Sequence, residues 1–289
     1  MRARRLALST ALLAGIALAA TGLGNGATTA LPGWKLAETG SAGGSVWVGR
    51  IPNTYVRDTR HSAVYLPPHF TASSRYPVIY LLHGLPGSPT SFRLADVADR
   101  AIAATGIPFI VVAPVGGPRR NAKNGEWAGP WQRYLVHDVV PWTDHMLPTI
   151  ASRQDRALAG FCAGGYGAIN TGLRHPRLFG TLEAMEGYFA PVFHDGPFTH
   201  ASAAILAANN PTLLVRRKAS LLQQLGTRFY VSVGGNHANI RRIWSLDFAK
   251  LLGTLRLPRE LWLLPRSQRG HFWAATEPSA LAYAEQGFA

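Results

Sequence analysis

The sequence predicts an α/β fold, a mainly parallel sheet with helices on both faces. Strand-like runs recur at Ser45 to Ile51, Ala63 to Leu66, Pro77 to Leu82, Pro108 to Ala113, Arg156 to Gly160, Thr181 to Met185, Thr227 to Val233 and Glu260 to Leu264. Most lack polar alternation. Continuous apolar runs such as Val78-Ile-Tyr-Leu-Leu82 and Phe109-Ile-Val-Val112 suit strands covered on both sides. Helical stretches fall between them, at about Ser91 to Ala104, Tyr134 to Ile150, Gly164 to Arg174, Leu213 to Leu225, Ala238 to Leu252 and Pro278 to Gln286. The composition is globular, with 47% hydrophobic and 10% aromatic residues, and its 30 Gly and 20 Pro act as single punctuators. No internal repeat divides the 289 residues.

Met1-Arg-Ala-Arg-Arg5, the apolar run Leu6 to Ala20 and the small, polar stretch Thr21 to Ala30 read together as an export signal. Fifteen residues of helix span about 22 Å, short of a hydrocarbon core of roughly 30 Å, which favours cleavage over anchoring. Ala17-Leu-Ala19 and Thr28-Thr-Ala30 both offer cleavage sites. The expected organisation is a signal peptide over 1–30, a single catalytic-size domain over 31–289, and no transmembrane helix after cleavage.

The chain carries 29 Lys and Arg against 15 Asp and Glu, a net charge of +14, of which Arg2, Arg4 and Arg5 leave with the signal. The remaining excess suits an exported protein drawn to anionic cell-envelope material. Basic residues occur as scattered pairs such as Arg119-Arg120 and Arg241-Arg242 rather than as a stripe interleaved with aromatics, which argues against a nucleic-acid partner. Cys162 is the one cysteine, so no intramolecular disulfide is available.

That cysteine lies in Gly160-Phe-Cys162-Ala-Gly164-Gly165, between a strand run and a helical run. A nucleophile presented on a sharp strand-turn-helix needs small residues two before and two after it, because their backbones press against neighbours. At the start of the helix, the dipole is expected to favour thiolate over thiol. The oxyanion formed by attack needs two amide donors. The Ala163 N–H follows the nucleophile, and the Leu85 N–H sits in the loop Leu81-Leu-His83-Gly84-Leu85-Pro86-Gly87 after a strong strand. His271, in Gly270-His271-Phe272-Trp273 after the last strand run, is the expected base. The orienting acid is less defined, since the turn Gly234-Gly235-Asn236-His237 holds no carboxylate. Asp247, spaced with Ile243, Trp244 and Leu251 along one helical face, and Asn236 are the candidates, and a Cys-His pair with no third member is the alternative. The aromatic-rich stretch from Gly187 to Arg228 is either a cap over a pocket or an ordinary helical excursion. Histidines do not pair with Cys or acids at metal-ligand spacing, and no phosphate or dinucleotide loop opens a helix, so neither metal nor cofactor is implied.

With these pieces in place the chain resembles the α/β-hydrolase branch that holds esterase D, feruloyl-esterase-like enzymes and the antigen 85 mycolyltransferases. Val64-Tyr-Leu-Pro-Pro68, Glu126-Trp127, Val139-Val-Pro141, His175-Pro-Arg-Leu-Phe179-Gly180 and Gly187-Tyr188 extend the resemblance over most of the chain. The resemblance implies ester hydrolysis or acyl transfer. Cysteine at the nucleophile position is similar to the dienelactone hydrolases, while His83 and Pro86 around Gly84-Leu85 depart from the trehalose-binding pattern of antigen 85. The expected function is that of an exported acyl hydrolase or acyltransferase acting on an ester or thioester through Cys162 and His271. The alternative is a catalytically degenerate relative that binds envelope or matrix material.

Overall fold

The apolar runs form a nine-stranded sheet because they are too hydrophobic to leave either face in water. A computed structural model describes residues 31–117, 126–192, 196–234, 240–264 and 272–288. The strands are β1 (Lys35–Thr39), β2 (Ser45–Gly49), β3 (Ser62–Leu66), β4 (Val78–Leu82), β5 (Ile110–Ala113), β6 (Arg156–Phe161), β7 (Thr181–Met185), β8 (Arg228–Val233) and β9 (Arg259–Leu263). Their order is β1-β2-β3-β5-β4-β6-β7-β8-β9. Pairing is antiparallel from β1 to β5 and parallel from β5 through β4 to β9.

The helices are α1 (Leu94–Thr105), α2 (Pro130–Tyr134), α3 (Val140–Met146), α4 (Ala163–Arg174), α5 (Ala203–Ala208), α6 (Pro211–Gln224), α7 (Ile240–Thr254) and α8 (Phe272–Glu285). A π-helical turn, Leu135–Val139, joins α2 to α3. On one face of the sheet Ile79, Leu81, Val111, Ala159 and Met185 pack with Leu94, Ala98 and Ala101 of α1 and Leu281 and Ala284 of α8. Alternate residues face the other way: Leu182 fills the space opposite Gly172 of α4, and Phe229 meets Phe248 of α7 edge to face. Among the described residues no helix is long and apolar enough to cross a membrane, and no group of three or more His, Cys, Asp or Glu is arranged to hold a metal ion.

Several boundaries differ from the sequence reading for local reasons. The helix expected over Tyr134 to Ile150 runs from Pro130 to Met146. Proline suits a first helical position, and Leu147 is extended (φ −123°, ψ 149°) because Pro148 follows it. The last helix begins at Phe272, with Pro278 inside it rather than at its start. Strand β1 escapes sequence detection because Lys35-Leu-Ala-Glu-Thr39 is mostly exposed on the sheet edge and bulges between Leu36 and Glu38. The stretch from Gly187 to Arg228 contributes α5 and α6. Asn209, between them, accepts from Tyr166 Oη (2.8 Å) through its carbonyl and from Arg174 (2.8 Å) through its side chain, which ties this excursion to α4.

The reversal in strand order brings the carboxyl ends of β4 and β6 side by side, with Leu82 opposite Gly160. In open α/β sheets such a crevice is where ligands bind. Here it joins the Leu81–Gly87 loop to the Cys162 turn.

Candidate active site

Cys162 follows β6 and caps the N-terminus of α4 with φ 53° and ψ −115°, a backbone conformation that costs a non-glycine residue energy and is characteristic of functional turns. Its N–H donates to the Met185 carbonyl (2.8 Å), and its carbonyl accepts from Tyr166 N–H (3.0 Å), so both sides of the turn are fixed. The turn closes only with glycine at two positions. A Cβ on Gly160 would strike the backbone of Gly164, and one on Gly164 would strike the Leu82 carbonyl. The Leu81–Gly87 loop is equally close: a Cβ on Gly84 would lie 3.2 Å from Cys162 Cβ. Leu85 and Ala163 pack into one cluster with Tyr166, Tyr188 and Phe198.

His83 holds this loop. Gly116 N–H donates to its Nε2 (2.9 Å), which leaves the proton on Nδ1 to bond the Gly84 carbonyl (2.8 Å). Burial lowers the imidazole to about 4, against a raising contribution from the Gly84 carbonyl, so His83 is neutral at physiological pH. Trp127, fully buried, donates from Nε1 to the His83 carbonyl (2.9 Å) and lies edge-on to its ring.

The environment of the thiol departs from the dipole-based expectation. Burial pushes the Cys162 thiol above its ordinary value, and the charges of Glu126 and Glu186 add to the rise. Arg241, on α7, and the Ala163 N–H oppose them. At 8% exposure the desolvation of a thiolate outweighs one helix terminus.

Of the residues expected from sequence, Cys162, Ala163 and Leu85 come together. His271 and Asn236 lie outside the described residues. Asp247 is exposed on α7, where it lines a cavity of about 230 Å³ with Phe189, Val192, Arg216, Trp244 and Phe248. Two carboxylates that sequence reasoning did not single out stand nearer the thiol. Glu186 directly follows β7 with φ 51° and accepts the Gly234 N–H (2.7 Å). Glu126 accepts a hydrogen bond from Tyr188, whose ring stacks on Tyr166 at 4.9 Å. A carboxylate immediately after a strand that neighbours the elbow strand was the signal for Glu186; Glu126 entered only through the Glu126-Trp127 resemblance, with no role attached, because its partner Tyr188 lies 62 positions away.

A residue in a strained turn between a parallel strand and the helix it caps, with the loop from the adjacent strand packed on it, in a mainly parallel sheet, is the architecture of an α/β-hydrolase. The chain belongs to the esterase family, whose family model matches residues 54–263. Among relatives it is 30% identical to Esterase Rv1288 of Mycobacterium tuberculosis over 147 residues, 49% of this chain and 32% of that protein. The match thus spans about a third of that relative's length. In fold it is similar to a ferulic acid esterase (TM-score 0.73, 20% identity, 85% of this chain and 99% of the other). It is also similar to an S-formylglutathione hydrolase from Agrobacterium tumefaciens (TM-score 0.70, 17% identity, 90% of this chain and 99% of the other).

Proposed function

We propose that this chain is an exported carboxylic ester hydrolase or acyltransferase that works through a covalent acyl-cysteine. The observation that carries the reading is the strained backbone of Cys162 at the head of α4 with the Gly84 backbone against its Cβ. Cys162 Sγ attacks the carbonyl carbon of an ester or thioester, and His271 takes the thiol proton. The developing oxyanion is held by the Ala163 and Leu85 amides; Leu85 N–H donates to no other described residue. Collapse expels the alcohol or thiol, which receives the proton from His271. Water, or an acceptor alcohol, then attacks the thioester and releases the acid or a new ester.

Glu186 is the carboxylate we assign to orienting His271, on the strength of its buried position at the end of β7 and its influence on the thiol. Asp247 is the alternative. Residues 1–30 act as the export signal, and 31–289 as the catalytic domain; N-terminal sequencing of protein recovered after export reads the cut.

The test is turnover of a panel of acyl esters and thioesters by the purified protein. Cys162→Ala is expected to lower kcat/KM by about 10³-fold or more, a loss typical of removing a covalent nucleophile. Glu186→Gln is expected to lower kcat by roughly 10²- to 10³-fold and Asp247→Asn by less than about threefold; the reverse pattern moves the orienting role to Asp247. A second reading, a noncatalytic binding protein, draws on the raised thiol. It requires envelope material to bind Cys162→Ala as well as wild type while the whole ester panel stays unturned.

A further inference from the structure

Apart from the Cys162 turn, a cavity lies between α1, α8 and the short 3₁₀ turn Pro89–Phe92 that follows the Leu81–Gly87 loop. It has a volume of about 180 Å³ and is lined by Ser91, Arg93, Asp96, Val97, Arg100 and Glu277, over the buried ring of Phe92. Glu277 is 1% exposed, yet its Oε1 meets no hydrogen-bonding partner in the structure. Burial raises its carboxyl well above the ordinary range, opposed by the Arg100 charge, which favours the protonated form with an O–H to donate. Neither Arg93 nor Arg100 forms an ion pair with another described residue. Asp96 Oδ1 is engaged by the Ser41 N–H (3.2 Å). The N-terminus of α1, twelve residues long, opens here with Arg93 at its cap and no side chain capping it.

We infer that this cavity is a binding site for a small oxyanion, a phosphate or carboxylate group. The two guanidiniums of Arg93 and Arg100 face the Asp96 carboxylate and a Glu277 acid whose ionisation burial disfavours, a balance that favours an anion over a cation. Arginine forks match the geometry of both anions, and the helix terminus adds partial positive charge. Glu277 donates its proton as a hydrogen bond to the anion, which satisfies an acid otherwise buried without a partner. The volume equals about six water molecules, enough for one such group and its residual waters. Because the turn before α1 follows the oxyanion loop and α8 follows His271 in sequence, an occupied site clamps together the two elements that lead away from the catalytic centre.

Inorganic phosphate, and acetate in parallel, are titrated into the full-length protein by calorimetry and thermal unfolding, with sodium chloride matching ionic strength. The expected result is saturable binding with a rise in Tm beyond that in chloride. Arg93→Ala/Arg100→Ala, two exposed changes, should weaken affinity at least tenfold, and Glu277→Leu should do the same. Glu277→Gln, which keeps the shape and a donor, should retain binding and shows that the cavity survives substitution. A Tm rise equal to that in chloride, or binding unchanged in the double variant, overturns the site. Vesicles of phosphatidylcholine with phosphatidic acid distinguish the source. Capture that free phosphate displaces and the double variant loses assigns a lipid headgroup. Phosphate binding without capture assigns the free anion, and absence of both overturns the proposal.

Discussion

The elbow edge of the sheet and the face beneath α1 and α8 both bury ionisable side chains, and they treat them in opposite ways. At the elbow, both nitrogens of His83 are hydrogen-bonded, Glu126 is held by Tyr188, and Glu186 is held by the Gly234 amide. On the opposite face both oxygens of Glu183, and Glu277 Oε1, are buried without a hydrogen-bonding partner. Burial drives the carboxyls of Glu183 and Glu277 well above the normal range and that of Glu285 to about 7. Around the Cys162 turn the fold provides its acids and imidazole with partners. On the other face it tolerates acids whose ionisation burial disfavours, a cost carried by the large core.

The largest effect that would break this comparison comes from the elbow's support. Trp127→Ala removes a fully buried ring and the donor to the His83 carbonyl, and should cost about 3–5 kcal/mol in denaturant unfolding. It should also lower any ester turnover, because the Leu85 amide loses its backing. A smaller loss would mean the Leu81–Gly87 loop is held by His83 alone.

Next is the acid dependence of stability. With its imidazole held near 4 in the fold and near 6.5 when unfolded, His83 takes up protons on unfolding between those values. It therefore has no effect above about pH 6.5, and stability drains as pH falls toward 4, by about 2 kcal/mol at pH 5. Unfolding of wild type and His83→Asn at pH 7 and pH 5 checks this: the variant should lack that share of the acid loss. Equal losses in both would assign the acid sensitivity to other groups.

The smallest effect sharpens the other side. Glu183→Leu should stabilise the protein by about 1–2 kcal/mol at neutral pH, where folding otherwise requires a partnerless buried carboxyl to take up a proton. A raised carboxyl penalises the fold above its unfolded value and not below, so the gain should shrink as pH falls to about 4. A loss in the variant would show that the charge of Arg228, near Glu183, compensates the carboxylate.

Much of this was legible before any tertiary structure. Strand runs were readable because double burial demands continuous apolar residues, as in Val78–Leu82, and the elbow because a crowded turn admits only glycine at 160 and 164. Strand β1 was not readable, since an exposed edge imposes no hydrophobic pattern. Nor was the state of the thiol. The sequence places Cys162 at a helix start, which argues for thiolate, and says nothing of the burial that reverses the balance.

The sequence by itself determined the α/β fold and the Cys162 turn, because these follow from local periodicity and from contacts made within a few residues. Only the tertiary structure decided which carboxylates face the thiol, which histidine is structural, and that Glu277 opens onto a cavity between Arg93 and Arg100. Those outcomes depend on desolvation and on partners scores of positions apart, and no local pattern encodes either.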